Sequence, residues 1–216
     1  MISFIIVNYF SEKETLQCVY SITKQTKQID NYEIIVVSNS PVSKKLEESL
    51  SKSSRTELVI AKENRGYAKG CNIGAQKARG SFLFFLNPDT CLLNDAAFQL
   101  CRYYKKNHAA GLIAPFTYSE DGRQQPSVKN HLHYLTLLHW ALPFTYFILP
   151  RRYHSGHQLI KDSGEVDVVN GSAMFISKDL FETLGGLDER FFMYWEENDL
   201  CLKVQKAGYK THIVKE

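Results

Sequence analysis

Apolar residues recur along this chain in two rhythms: short unbroken runs, and stripes at helical spacing. Through the first half the two alternate. Ile2–Val7 is a β-branched apolar run that turns polar at Asn8, which predicts a first buried strand. Ser11–Lys24 carries Leu16, Val19, Tyr20 and Ile22 at helical spacing, with Ser11 as N-cap and Glu14 completing a capping box. Glu33–Val37 predicts a second strand, Lys44–Leu50 a helix, and Leu58–Ile60 a short strand. Tyr67–Ala78 follows as a helix, Phe82–Leu86 as a strand covered on both faces, and Asp95–Lys105 as another helix. Such alternation implies an α/β fold with a mostly parallel sheet and right-handed crossovers over residues 1 to about 114.

The second half is less regular. Phe116–Val128 holds Asp121-Gly122 between extended segments, a hairpin signal. His131–Pro150 is rich in Leu, Phe, Tyr and His, is broken by Pro143, and ends on Pro150-Arg151-Arg152. It is too short and broken to span a bilayer. Two readings stay open: a buried helical excursion, or a membrane-surface segment with Arg151 and Arg152 on phosphates. Val166–Ser177 reads as a strand pair around Asn170-Gly171-Ser172, and Lys178–Leu184 as a helix ending at Gly185-Gly186. Glu196–Ala207 is a helix stopped by Gly208, and Thr211–Val214 is strand-like.

Composition narrows the class. With 216 residues, 44% apolar and 23% charged, the chain suits one sizeable globular domain. A net charge of +3 gives no ground for a nucleic-acid partner. Five scattered cysteines without a C-x-x-C pair fit reduced thiols in the cytosol. His131, His133, His139, His154 and His157 match no common metal spacing and read as surface or interface residues. The N-terminus lacks a basic n-region and reads as a strand, not a signal peptide.

Three segments carry chemistry. Pro88 cannot donate to a sheet ladder, so the fourth strand ends at about Asn87 and leaves Asp89 where open α/β sheets bind ligands. Asp89 either holds a divalent cation against a diphosphate or caps the helix that follows, beginning near Leu92. Gly66, Gly70 and Gly74 recur every fourth residue, a stripe for tight packing or for a ligand, with Asn64, Arg65, Lys69 and Asn72 as candidate donors. Finally, aromatics at Phe191–Trp195 run into Glu196-Glu197-Asn198-Asp199. Acidic first turns are commonplace. Helical phasing, however, sets Glu197 over the apolar face of Leu200, Cys201 and Val204 and leaves Glu196 and Asp199 on the polar side. An inward carboxylate beside aromatics suits a general base for a hydroxyl group.

Taken in order, Ile5–Tyr9, Val36–Ser40, Glu63–Ala68, Leu86–Thr90, Asn170–Ala173 and Gly185–Tyr194 with the acidic helix resemble family 2 glycosyltransferases of the GT-A fold, especially the rhamnosyltransferase-like branch. The resemblance implies a single GT-A-type domain over 1–216, with 1–114 as the nucleotide-sugar half and 115–216 as the acceptor side. It implies inverting transfer of a hexosyl or rhamnosyl group from a nucleotide-diphosphate donor to a glycan or lipid-linked hydroxyl, in cell-surface polysaccharide assembly. The expected setting is the cytoplasm, with peripheral contact at the inner face of the plasma membrane through 131–152.

By position, Asn8, Tyr9, Ser38 and Asn39 would line the base and ribose pocket, and Asn64, Arg65 and Asn72 would serve the nucleotide or diphosphate. Asn87-Pro88-Asp89 would stand for the family's Asp-x-Asp motif, with Asp89 on Mg²⁺ or Mn²⁺. Gly171, Phe192 and Trp195 would shape the cleft. Glu197 occupies the position of the base, usually Asp, with Asp199 the alternative. Ser38 stands where the family normally has an acidic residue. The family usually continues into a metal-ligating His and acceptor-facing helices beyond the point where this chain stops. A form that binds nucleotide-sugar or a partner protein without turnover is the competing expectation.

Overall fold

The computed structural model describes residues 1–130 and 157–215. The readings placed on 131–152, and on His131, His133, His139 and His154, lie outside these residues.

Strand β1 (Ile2–Asn8) is buried at every position, as a strand in the middle of a covered parallel sheet must be. β2 (Tyr32–Ser38) and β3 (Thr56–Ile60) extend the sheet to one side and β4 (Phe82–Leu86) to the other, all parallel. Helices α1 (Glu12–Gln25), α2 (Lys44–Ser51) and α3 (Tyr67–Lys77) connect them, and α4 (Ala96–Lys106) leads to β5 (Ala110–Pro115). Then come β6 (Val128–Lys129), β7 (His157–Gln158), β8 (Gly164–Val166), β9 (Val168–Val169) and β10 (Ala173–Ser177), followed by α5 (Lys178–Thr183), α6 (Glu196–Lys206) and β11 (Lys210–Val214).

The large sheet runs β3-β2-β1-β4-β10-β5-β11-β8, and a smaller one runs β7-β6-β9. β10 lies antiparallel between β4 and β5, and β8 lies antiparallel on β11. Residues from the second half of the chain therefore complete the sheet begun by the first.

Alternate residues of each central strand supply two cores. Ile5, Ile35, Val37 and Phe85 pack with Cys71, Phe181, Leu200 and Val204 on one face. Phe4, Ile34, Val36 and Phe84 pack with Ile22, Leu46, Leu50 and Leu100 on the other. Each such side chain contributes about 1.5–3 kcal/mol when buried, so a one-residue slip that exchanged the faces would be costly. Among the described residues no helix is long and apolar enough to cross a membrane.

Four expectations are corrected. The capping box on α1 does not form. Ser11 makes no side-chain cap, and its backbone N–H and hydroxyl both donate to Asn8 Oδ1, at 3.2 Å each. β5 was not foreseen, because Ala110, Gly111 and Ala114 dilute the two large apolar residues between them. The strands flanking Asn170–Ser172 do not pair with each other: β9 joins the small sheet and β10 the large one. Glu196 is buried rather than on the polar side, for reasons given below. The glycine stripe of α3 serves packing, since a Cβ at Gly70 would strike Val7 and one at Gly74 would strike Ile5, both on β1.

Candidate active site

The carboxyl edge of the sheet gathers the candidate chemistry. β4 stops at Leu86, after which the Asn87 N–H donates to Ser172 O (2.9 Å) and the Thr90 N–H to Asn87 O (3.1 Å). These bonds bring the Asn170–Ser172 turn beside Asp89. The helix that follows begins at Ala96, and Asp95 caps it by accepting from the Phe98 N–H at 3.3 Å. Asp89 is therefore not the cap. It is exposed and takes no hydrogen bond or ion pair from a described residue. It borders a cleft of about 840 Å³ that Asn87, Thr90, Tyr118, Asn170 and Ser172 also line.

Several of the expected nucleotide contacts make hydrogen bonds that build the edge. Asn8 is wholly buried. Its Nδ2 donates to Ser38 Oγ at 2.8 Å, and its Oδ1 accepts from Ser11 and Thr15. Ser38 in turn donates to Ser40 O (2.9 Å). Asn72 spends its whole amide: Nδ2 donates to Leu187 O (2.8 Å) and Glu189 Oε1 (3.0 Å), while Oδ1 accepts from the Leu187 N–H (3.0 Å). These three hold strands and loops in place along the edge.

Asn39 and Asn64 shape the loop before α3. Asn39 Nδ2 donates to Gly66 O (3.0 Å), and Asn64 Oδ1 accepts from the Gly66 N–H (2.9 Å). Gly66 has φ +93°, and a Cβ there would collide with the Phe192 carbonyl, so only glycine fits. Tyr9 and Arg65 remain open to solvent. Tyr9 lies edge-on to Phe10, and Arg65 sits 3.7 Å from the Glu63 carboxylate.

The Phe192 carbonyl also accepts from the Tyr67 N–H (2.9 Å), fastening the aromatic loop to α3. Tyr194 and Trp195 then take left-handed conformations (φ 69° and 75°). Left-handed backbone at non-glycine residues costs energy and concentrates at functional sites. Phe192, Met193, Tyr194 and Trp195 all stand exposed beside the start of α6.

Glu196 and Glu197 are 5% and 4% exposed. Glu197 pairs with Lys129 Nζ on β6 at 2.9 Å and faces Gly171, where a Cβ would sit 3.5 Å from the Glu197 Cβ. Glu196 lies under the start of α3, near Tyr67 and Cys71, and its Oε2 is buried without a hydrogen-bond partner among the described residues. Burial pushes its carboxyl up to about 6, and the charge of Glu197 adds to this. Asp199, the alternative base, turns to Lys203 at 2.8 Å, one helical turn on. The Tyr67 hydroxyl donates to Gly171 O (3.3 Å).

Sequence reasoning missed Lys129, Glu196 and Tyr67. Lys129 sits in a two-residue strand with no periodicity to mark it, and regular phasing takes no account of the start of α3 near Glu196.

A family model for glycosyl transferase family 2 matches residues 3–185. The chain belongs to glycosyl transferase family 2. Among curated members, it is 28% identical over 214 residues to the low-salt glycan biosynthesis hexosyltransferase Agl10 of Haloferax volcanii, covering 96% of this chain and 62% of that protein. It is 24% identical over 216 residues to the dTDP-rhamnosyl transferase RfbF of Shigella flexneri, covering 97% and 65%. The chain thus spans under two thirds of the length of these two relatives. The crystal structure of GalNAc-T7 with UDP, GalNAc and Mn²⁺ superposes with a TM-score of 0.73 at 17% identity, over 99% of this chain and 42% of that one. The fold of this family 2 member is GT-A, a mostly parallel sheet with helices on both faces.

The described residues hold no group of three or more His, Cys, Asp or Glu side chains arranged for a metal. Asp89 nevertheless fits a hard cation, since Mg²⁺-type sites often use one or two carboxylates and complete their shell with water and substrate phosphates.

Proposed function

We propose that this chain transfers a sugar, hexosyl or rhamnosyl, from a nucleotide-diphosphate donor to a hydroxyl of a glycan or lipid-linked acceptor, with inversion, in cell-surface polysaccharide assembly. The observation that carries the reading is one juxtaposition. The uncapped Asp89 and the buried Glu197 flank the same Asn170–Ser172 turn, Asp89 through Asn87 and Glu197 through Gly171.

In this reading the diphosphate lies at Asp89 and the nucleoside extends over the carboxyl ends of β1 and β2, where Tyr9 and Arg65 are accessible. Bound at Asp89, Mg²⁺ or Mn²⁺ would offset the charge that gathers on the departing diphosphate. Phe192 and Trp195 offer apolar surface for the acceptor beside Glu197. As the acceptor oxygen forms its bond to the anomeric carbon, Glu197 takes the hydroxyl proton. The opposite bond, from anomeric carbon to phosphate oxygen, breaks with its electron pair going to the diphosphate. Attack and departure on opposite faces invert the centre, through an oxocarbenium-like transition state. Glu197 is preferred to Asp199 because it faces the turn, whereas Asp199 is committed to Lys203.

Calorimetry with UDP and dTDP, with and without Mn²⁺, tests the binding half. Metal-dependent binding that Asp89→Asn abolishes is expected. Binding that neither Mn²⁺ nor the substitution alters would sink the assignment of Asp89.

A further inference from the structure

We infer that Lys129 is a positioning residue that makes Glu197, and not its neighbour Glu196, the group that receives the acceptor's proton; this rests on the glycosyltransferase reading above. Two adjacent carboxyls lie almost fully buried at the start of α6, and the structure gives a cation to one of them. The groups that face Glu197 are Lys129 from β6, Glu196 and Cys201 from its own helix, and Tyr67 from α3. Burial pushes the Cys201 thiol up to about 12 and the Tyr67 phenol well above its ordinary value, so both stay neutral near pH 7. Lys129 is the cation paired with Glu197, and the charge of Glu196 repels that carboxylate from the neighbouring position.

Lys129 is well placed to hold this position. Its backbone is fixed in the centre of the small sheet, opposite Val168 on β9 and His157 on β7, and its side chain is about three-quarters covered. The ion pair does two things. It sets a counter-charge against the buried carboxylate, and it aims that carboxylate across Gly171. Glu196 also feels the charge of Lys129. When Glu197 takes up a proton, Glu196 remains to balance the lysine, and the cluster is spared an uncompensated buried cation. Environment thus separates the roles of two like groups, as it does in other carboxyl pairs.

The test compares wild type with Lys129→Met, Lys129→Gln, Lys129→Arg and Glu197→Gln. One readout is the pH profile of nucleoside diphosphate release from a panel of UDP- and dTDP-sugars with Mn²⁺. The other is ¹³C NMR titration of protein labelled at glutamate Cδ, with Glu197→Gln identifying the signal; this readout needs no turnover. Removing an opposite charge at this distance moves a carboxyl by about one to three pH units. In Lys129→Met, or in Lys129→Gln should the first not fold, the acid limb and the Glu197 signal both move up by that amount. Lys129→Arg leaves them in place, and UDP affinity is unchanged throughout. If the uncharged variants titrate as wild type does, the inference is overturned while Glu197 as the base stands. If Glu197→Gln turns over donor at the wild-type rate, the base assignment itself falls and the inference with it.

Discussion

Glu196→Gln stabilises the folded chain near neutral pH and loses that advantage in mild acid. Burial pushes the carboxyl from its ordinary value of 4.5 to about 6, and one of its oxygens has no hydrogen-bond partner among the described residues. A proton is therefore held more tightly in the folded chain than in the unfolded one. The resulting stability is complete below about pH 4.5 and is lost as pH rises towards 6. At 1.36 kcal/mol per pH unit, the folded state is about 2 kcal/mol less stable above pH 6 than this group would allow in acid. Glutamine keeps the shape and carries no charge, so it removes the penalty.

Urea unfolding of both proteins between about pH 4.5 and 7.5 measures the difference directly, because the midpoint moves with stability when the slope is unchanged. The variant should gain about 2 kcal/mol at the upper end, or about 4–8 °C in Tm for a chain of this size, and little at the lower end. A gain that does not depend on pH, or a loss at neutral pH, would refute the account of a Glu196 whose charge is disfavoured by burial.

Asp89→Asn should weaken Mn²⁺-dependent UDP binding while leaving stability within about 0.5 kcal/mol, because the side chain is exposed and unpartnered; calorimetry and thermal unfolding check the two halves. Asn72→Ala should do the reverse. Three hydrogen bonds to the 187–189 turn, two of them buried, are lost, at a cost of about 2–4 kcal/mol in urea unfolding. A nucleotide affinity that falls with stability intact would return Asn72 to the ligand set.

Strands such as β1 and β4 were legible because their runs are apolar at every position, and burial on both faces needs nothing else. β5 was not, since Ala110, Gly111 and Ala114 leave only Leu112 and Ile113 as large apolar residues to mark a strand. The Asn-Pro-Asp turn was legible as a strand end, but its two readings separated only when α4 was seen to begin at Ala96 with its own cap. Asn8, Ser38 and Asn72 were legible as polar positions at the sheet edge, but the protein hydrogen bonds they make were not. Their type and place suit a ligand, yet a buried amide must first satisfy itself, and here the nearest partners are protein. Helical phasing placed Glu197 inward. It could not show Lys129, which reaches Glu197 across 68 residues of sequence, or the start of α3 near Glu196.

The central claim is that Glu197 accepts the acceptor's proton during sugar transfer. Its most direct test is the turnover of nucleotide-sugars by Glu197→Gln at wild-type UDP affinity. The account predicts binding unchanged and release of nucleoside diphosphate reduced by about 10²–10⁴-fold, the range general-base catalysis supplies. Wild-type turnover in Glu197→Gln would contradict it. So would a wild-type protein that binds UDP with Mn²⁺ and never turns over a donor.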